Sequence, residues 1–220
     1  MNRITLLIAL CAATLLVNAQ TATPDYMQLD LTSGKLWATF NVGANAPEEV
    51  GSLFAWGEID TKERYTWGNY VHGEINAIEK YCTDITSGRN RTADSLSTLQ
   101  PTDDAATRAW GSEWCMPTKE DWQELIDECY WTWTTDYEGK GVSGYIVTSK
   151  DDPDSYIFLP TTGYRDDKLS LSTDKYGNYW TNALSEGNPY NAWHAGFSSR
   201  QVSLFTSARY LGYAIRPVKK

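Results

Sequence analysis

The segment from Trp110 to Cys129 constrains the fold of this chain more than any other, because it reads as a helix with a written start and one buried face. Thr118 followed three residues later by Asp121 has the form of a capping box: the hydroxyl accepts from an orphan backbone donor and the carboxylate sits in the first turn. Trp122, Leu125, Ile126 and Cys129 then recur at i, i+3, i+4 and i+7, one apolar stripe on a helix of about three turns. The flanking sequence is rich in Trp, Tyr, Gly and Thr, as strands and tight turns are. One helix inside a β-leaning chain fixes architecture and names no reaction.

The first segment reads as an address. Arg3 is followed by an apolar run from Ile4 to Val17 and by Val17-Asn18-Ala19, a small-residue cleavage pattern before Gln20. The run is short for a membrane span, and no later segment approaches the roughly 20 apolar residues one needs. Cys11 raises the alternative of a lipoprotein anchor, but Leu10 suits a lipidated cysteine poorly and the run continues past it. The expectation is a signal peptide over 1–19, a disordered leader over 20–25 and a single domain over 26–220. The mature protein is then exported to the periplasm, the cell surface or the medium, with no transmembrane segment.

Net charge is −9 with no Lys/Arg cluster, which argues against nucleic acid and anionic membrane surfaces as partners. Ten Trp and fourteen Tyr stand out. Rings in a β-rich domain fill the core, or stand on a surface and stack against sugar or peptide. Without Cys11, Cys82, Cys115 and Cys129 form an odd set, so one disulfide and one free thiol are expected. Pairing Cys82 with Cys129 would tie a loop-rich region to the far end of the helix and stabilise by roughly 4 kcal/mol; Cys115–Cys129 is the competing pair. No Cys/His spacing suits zinc.

Strands are expected at Gln28–Leu31 and Leu36–Val42 around a Gly-containing turn, and at Leu53–Trp56. Residues 60–100 form a long irregular stretch with isolated rings Tyr65, Trp67, Tyr70 and Tyr81, functional or locally mobile. Pro101–Trp110 reads as a short helix stopped by Gly111. After the main helix, strands are expected at Tyr130–Thr134, Gly144–Ser149, Ser155–Leu159, Asn178–Leu184, Ala192–Ser198 and Tyr213–Val218. Two early helices followed by an antiparallel meander make an α+β domain.

Several blocks carry a resemblance: Leu36-Trp-Ala-Thr-Phe-Asn-Val-Gly-Ala44, Phe54-Ala-Trp-Gly-Glu58, Trp110-Gly-Ser-Glu-Trp-Cys-Met-Pro-Thr118, Phe158-Leu-Pro-Thr-Thr-Gly-Tyr-Arg165, Tyr179-Trp-Thr-Asn182 and Gly212-Tyr-Ala-Ile-Arg-Pro-Val218. In that order they resemble the Fibrobacter succinogenes major paralogous domain, a family of exported bacterial domains. The resemblance implies a C-type-lectin-like fold related to the formylglycine-generating enzymes: a central twisted antiparallel sheet, two helices, long irregular loops and paired terminal strands. Phe40 stands where relatives often carry Cys, and Cys115 where they usually carry Arg. The family brings no settled activity.

The enzymes of that superfamily use a cysteine pair near the C-terminal end, and no cysteine follows Cys129 here. Only His72 and His194 could serve as a base near neutral pH, and the doublets Asp103/Asp104, Asp151/Asp152 and Asp166/Asp167 sit where helix starts and turns explain them. Glu186-Gly-Asn-Pro189 and Trp180-Thr-Asn182 hold the letters of a calcium-lectin site in the wrong arrangement, leaving structural calcium held by loop oxygens as an option. The reading is a non-catalytic module binding a glycan or a cell-surface protein, with no cofactor. An altered enzyme of the superfamily and a ligand-free envelope scaffold are the alternatives. The expected ligand face comprises Tyr164, Arg165, Tyr179, Trp180, Asn182 and Trp193, on the late strands and loops. Asp94-Ser-Leu96 matches an O-glycosylation pattern at Ser95.

Overall fold

The computed structural model describes residues 24–220. The signal-peptide expectation lies outside the described residues, as does all but the end of the leader. The chain mixes α and β structure, with mostly strands, two α-helices and several small antiparallel sheets. In order come β1 (Tyr26–Gln28), β2 (Leu36–Ala38), β3 (Gly73–Glu74), β4 (Ala77–Ile78), α1 (Ala105–Trp110), β5 (Trp114–Cys115) and α2 (Lys119–Glu128). The second part holds β6 (Cys129–Thr134), β7 (Gly144–Ser149), β8 (Tyr156–Pro160), β9 (Tyr164–Asp166), β10 (Leu169–Leu171), β11 (Gly177–Leu184), β12 (Asn191–Ser198), β13 (Gln201–Ala208) and β14 (Val218–Lys219).

The main helix forms as its sequence dictates. The Thr118 hydroxyl accepts from Asp121 N at 2.9 Å, and the Asp121 carboxylate accepts from Thr118 N at 2.9 Å. Trp122 and Leu125 are buried, and Trp122 meets Trp37 edge-on with ring centroids 4.8 Å apart. The expected early hairpin is shifted: β1 ends at Gln28, opposite Leu36, so that Leu29 and Leu31 turn into the core rather than extend the strand. Asp30, with φ 53°, makes that bend. At the other end, β14 lies between β2 and β5, with Val218 opposite both Trp37 and Cys115. The N-terminal hairpin and the C-terminal strand are therefore side by side, joined through β2.

The expected helix over Pro101–Trp110 is broken. A 3-10 turn at Pro101–Asp103 gives way to α1 at Asp104, whose φ/ψ of −97°/109° leaves the helical region. The Asp104 carboxylate caps α1 through Ala106 N and Thr107 N and also accepts from Met116 N, tying the helix start to β5.

Both faces of the β11–β12–β13 sheet carry core residues. One face presents Tyr179, Ala195 and Phe197 to a core that includes Trp122, Leu125 and Trp37. The other presents Trp180 and Ala192 to a core that includes Phe54, Trp56, Tyr81 and Tyr213. Strand β13 carries no glycine or proline at its start and was not anticipated from the sequence.

On the second face, ring tips take over the work of a sheet. Residues 53–56 make only one isolated bridge, Phe54 to Tyr213. Their carbonyls accept instead from Tyr65 OH on Leu53 O (2.5 Å), Trp180 Nε1 on Phe54 O (2.8 Å) and Tyr70 OH on Trp56 O (2.6 Å). Trp56 Nε1 in turn donates to Thr181 O at 2.8 Å. Two fully buried arginines act similarly. Arg209 donates to Tyr81 O and stands over the Trp56 and Tyr70 rings. Arg216 donates to Asn41 Oδ1, Ala38 O and Phe158 O at 2.8–3.0 Å, and burial pulls its pKa down to about 10. Most of the rings are thus structural, their polar atoms matched to loop carbonyls that regular structure does not satisfy.

The expected disulfide is not formed: Cys82, Cys115 and Cys129 are all free thiols. Cys82 is buried in the loop region, donating to Asp84 O at 3.1 Å, whereas Cys129 caps α2 and packs into the helix-side core. They are buried in separate surroundings, Cys82 beside Asp84 and Asp94 and Cys129 in the helix-side core, and burial raises both thiol pKa values, that of Cys129 to about 11.

Candidate functional site

The six residues expected to form a ligand face do not converge. Tyr179 and Trp180 are fully buried, and this is a correction with a plain cause. Alternation along β11 sends them to opposite faces of a sheet whose two faces are both packed. The Tyr179 hydroxyl donates to Pro160 O at 2.7 Å, and Trp180 stacks on Tyr213 at 4.3 Å. Asn182 works through its backbone, with its N–H on Pro117 O and its carbonyl taken by Leu99 N. Tyr164 leans edge-on against Tyr213.

Trp193 and Arg165 each line a cavity, and different ones. Trp193 borders a space of about 410 Å³ with Lys119, Glu120, Gln123, Ser203 and Leu204. Its Nε1 donates to Glu186 Oε2 at 2.7 Å, and Lys119 bridges the other Glu186 oxygen at 2.5 Å while standing over the indole. Lys119 and then Trp193 hold the Glu186 carboxyl down at about 2. The acid of the calcium-lectin-like letters is therefore engaged by a lysine and an indole. Among the described residues, no group of three or more His, Cys, Asp or Glu is placed to hold a metal ion.

Arg165 borders a cleft of about 380 Å³ with Lys62, Tyr65, Thr162, Ser170 and Thr173 among its walls. Its Nη2 donates to Glu63 O (3.2 Å) and Lys168 O (3.4 Å), and its Nε is buried without a partner. The guanidinium lies over the Tyr65 ring, 5.7 Å from the centroid.

Two rings that reach solvent beside a groove were not anticipated. Tyr176 (48% exposed) and Phe205 (39% exposed) line a groove of about 130 Å³ with Asn178, Gly196 and Gln201. Tyr176 and Ser198 also line an adjoining groove of about 300 Å³ with Trp133, Asp174, Lys175 and Arg200. Gly196 makes this face: a Cβ there would stand 2.9 Å from the Phe205 ring, so glycine lets that ring lie across β12. A glycine inside an otherwise apolar strand was the signal available in the sequence.

The titratable residues are engaged locally. His194 is buried, with Nε2 3.1 Å from Ser207 Oγ, and desolvation lowers its pKa to about 4. His72 Nε2 meets Gly57 O at 2.8 Å beside a cavity of about 250 Å³ that Glu58, Asp60 and Asp103 also line. There Asp103 bonds Lys80 and Tyr81, and Glu58 bonds Lys62 and Val71 N. In the remaining doublets, Asp152 closes a turn through Asp154 N and Asp167 pairs with Arg64. No protein-family model matches this chain, and comparison with curated proteins and with solved structures finds no match either.

Proposed function

We propose that this chain is an exported, non-catalytic binding module with a C-type-lectin-like fold, a member of the Fibrobacter succinogenes major paralogous domain family, and that its ligand is a glycan. Support for the fold reading comes from one capped helix packed against neighbouring chain-terminal strands, with long loops held by side chains. The functional reading rests on one observation. Trp133, Tyr176 and Phe205 border two grooves that share Tyr176 and Ser198, with Asn178, Gln201, Asp174 and Arg200 between and beside them. Rings for stacking, flanked by side-chain amides and charges, are what a polyhydroxylated ligand requires.

A glycan array with and without calcium tests this. Specific hits that persist in chelator and disappear in Tyr176→Ala are expected; Tyr176 is exposed enough that the variant keeps its fold. Silence of the folded protein across the array would overturn the reading. Ser95 belongs to the same proposal: it is exposed at φ 58° in a turn whose Asp94 carboxylate bonds Tyr81 N, Cys82 N and Leu96 N, an accessible and well-defined acceptor for a sugar.

A further inference from the structure

The Arg165 cleft carries basic groups in an acidic chain. Ten residues line it, none of them Asp or Glu, although Asp and Glu number 28 in the chain. Of its two cations, Lys62 is neutralised by Glu58 at 2.7 Å. Arg165 forms no ion pair with any described residue, and its two hydrogen bonds are long ones from a single nitrogen to backbone carbonyls. Nη1 makes no hydrogen bond to a described residue, so most of a five-donor planar fork is unused. This half-buried guanidinium has no counter-charge, and its lost hydration is offset only by those two bonds and the face of the Tyr65 ring.

The surroundings indicate the partner. The cleft wall carries the exposed hydroxyls of Thr61, Ser170 and Thr173, suited to bonding sugar hydroxyls. The cleft and the aromatic grooves draw on neighbouring residues: Thr173 lines the cleft, while Asp174 and Tyr176 line the groove. Thr162 N and Gly163 N both donate to Tyr176 O, at 3.0 and 2.8 Å, fixing that stretch to the cleft wall. The cleft and the grooves are thus built on one short segment of chain, residues 173–176.

Resting on the glycan reading above, we infer that the Arg165 cleft is a carboxylate subsite and that the preferred ligand is an acidic saccharide, with a uronate group meeting the guanidinium. A lone arginine matches a monovalent, planar carboxylate through paired hydrogen bonds, which lysine does not reproduce.

Titration calorimetry of the purified protein with tetragalacturonate and its methyl ester tests this, because esterification removes the charges and keeps the rings. The acid is expected to bind at least tenfold more tightly than the ester, the difference shrinking in high salt. Arg165→Gln should bring the acid to the ester's level, and Arg165→Lys should restore only part of the gap, both with melting curves like the parent. Equal affinity for acid and ester, or an unaltered gap in Arg165→Gln, overturns the subsite while leaving the module a binder of neutral glycans. A tetraglutamate peptide bound as tightly as the acid, and through Arg165, overturns the saccharide assignment. No binding of either anion overturns the inference, and neutral glycans on the array then decide the broader reading.

Discussion

The two faces of the β11–β12–β13 sheet bury comparable numbers of rings and hold them by different means. On the α2 side, helix and strands satisfy most of their own backbones: Trp37 and Trp122 only fill space, each burying an indole N–H without a partner, and Trp131, Tyr145 and Tyr179 donate to carbonyls near the ends of elements, those of Leu125, Ser198 and Pro160. On the side of residues 53–106, little backbone is regular; Tyr65, Tyr70 and Arg209 donate to carbonyls that no ladder reaches, and Trp180 adds a second donor to the bridged carbonyl of Phe54. The contrast teaches that an aromatic-rich composition has two readings inside one domain. Where secondary structure is complete, a ring is volume. Where it is not, the ring's polar tip is a substitute for a strand.

Four measurements probe that contrast. The largest effect is expected on the helix side, where Trp122→Ala should lower stability by about 3–5 kcal/mol and abolish one cooperative transition in denaturant. Acid should act more on the loop side. The buried His194 contacts Trp180 and Tyr213 and stays neutral down to about pH 4, whereas in the unfolded chain it gains a proton below its ordinary value of 6.5. Its contribution is therefore complete above pH 6.5 and is lost as pH falls towards 4, by about 3 kcal/mol. Denaturation of the parent and of His194→Gln at pH 7.5 and 4.5 should show a smaller acid loss in the variant; His72, also shifted downward by burial, keeps the remainder. Equal losses would remove His194 from the account.

Arg209→Met should cost about 2 kcal/mol, because it leaves the Tyr81 carbonyl without its donor. Hydrogen exchange should speed up in residues 60–100 and stay slow in α2; uniform acceleration would show that the two faces are one cooperative unit. Smallest of all, Lys119→Ala removes an exposed ion pair with Glu186 and should change stability by less than about 1 kcal/mol, less again in high salt. A larger change would make the Trp193 assembly a structural clasp.

Local rules made much of the helix side legible. The capping box and the i, i+3, i+4, i+7 stripe place α2, and alternation bounded by turn residues places β6, β7, β8, β11 and β12 within a residue or two. The candidate site was less legible for a physical reason. Alternation tells which residues share a strand face, but whether that face is open depends on what covers it. Tyr179 and Trp180 are closed off by Trp122 and by Tyr213 and Phe54, residues 33 to 126 positions away. Arg165, expected on the ligand face, lines a cleft, while Tyr176, which bounds both grooves, follows a loop that carried no strand pattern. The pairing of Cys82 and Cys129 failed similarly, since loop length says nothing about where each thiol is buried.

Two hydrogen bonds cross between the same pair of segments: Trp56 donates to Thr181, and Trp180 donates back to Phe54, at sequence separations of 125 and 126. Neither can form until β11 has been delivered to residues 54–56, so the early third of the chain has no finished resting place of its own. Contacts this remote slow folding, because a long loop must close before any of them is gained. A polypeptide emerging from a ribosome or a translocation channel, N-terminus first, keeps Trp56 waiting until β11 has also emerged. Fragments ending before Trp180 should therefore remain unfolded and prone to aggregate, whatever helix they contain.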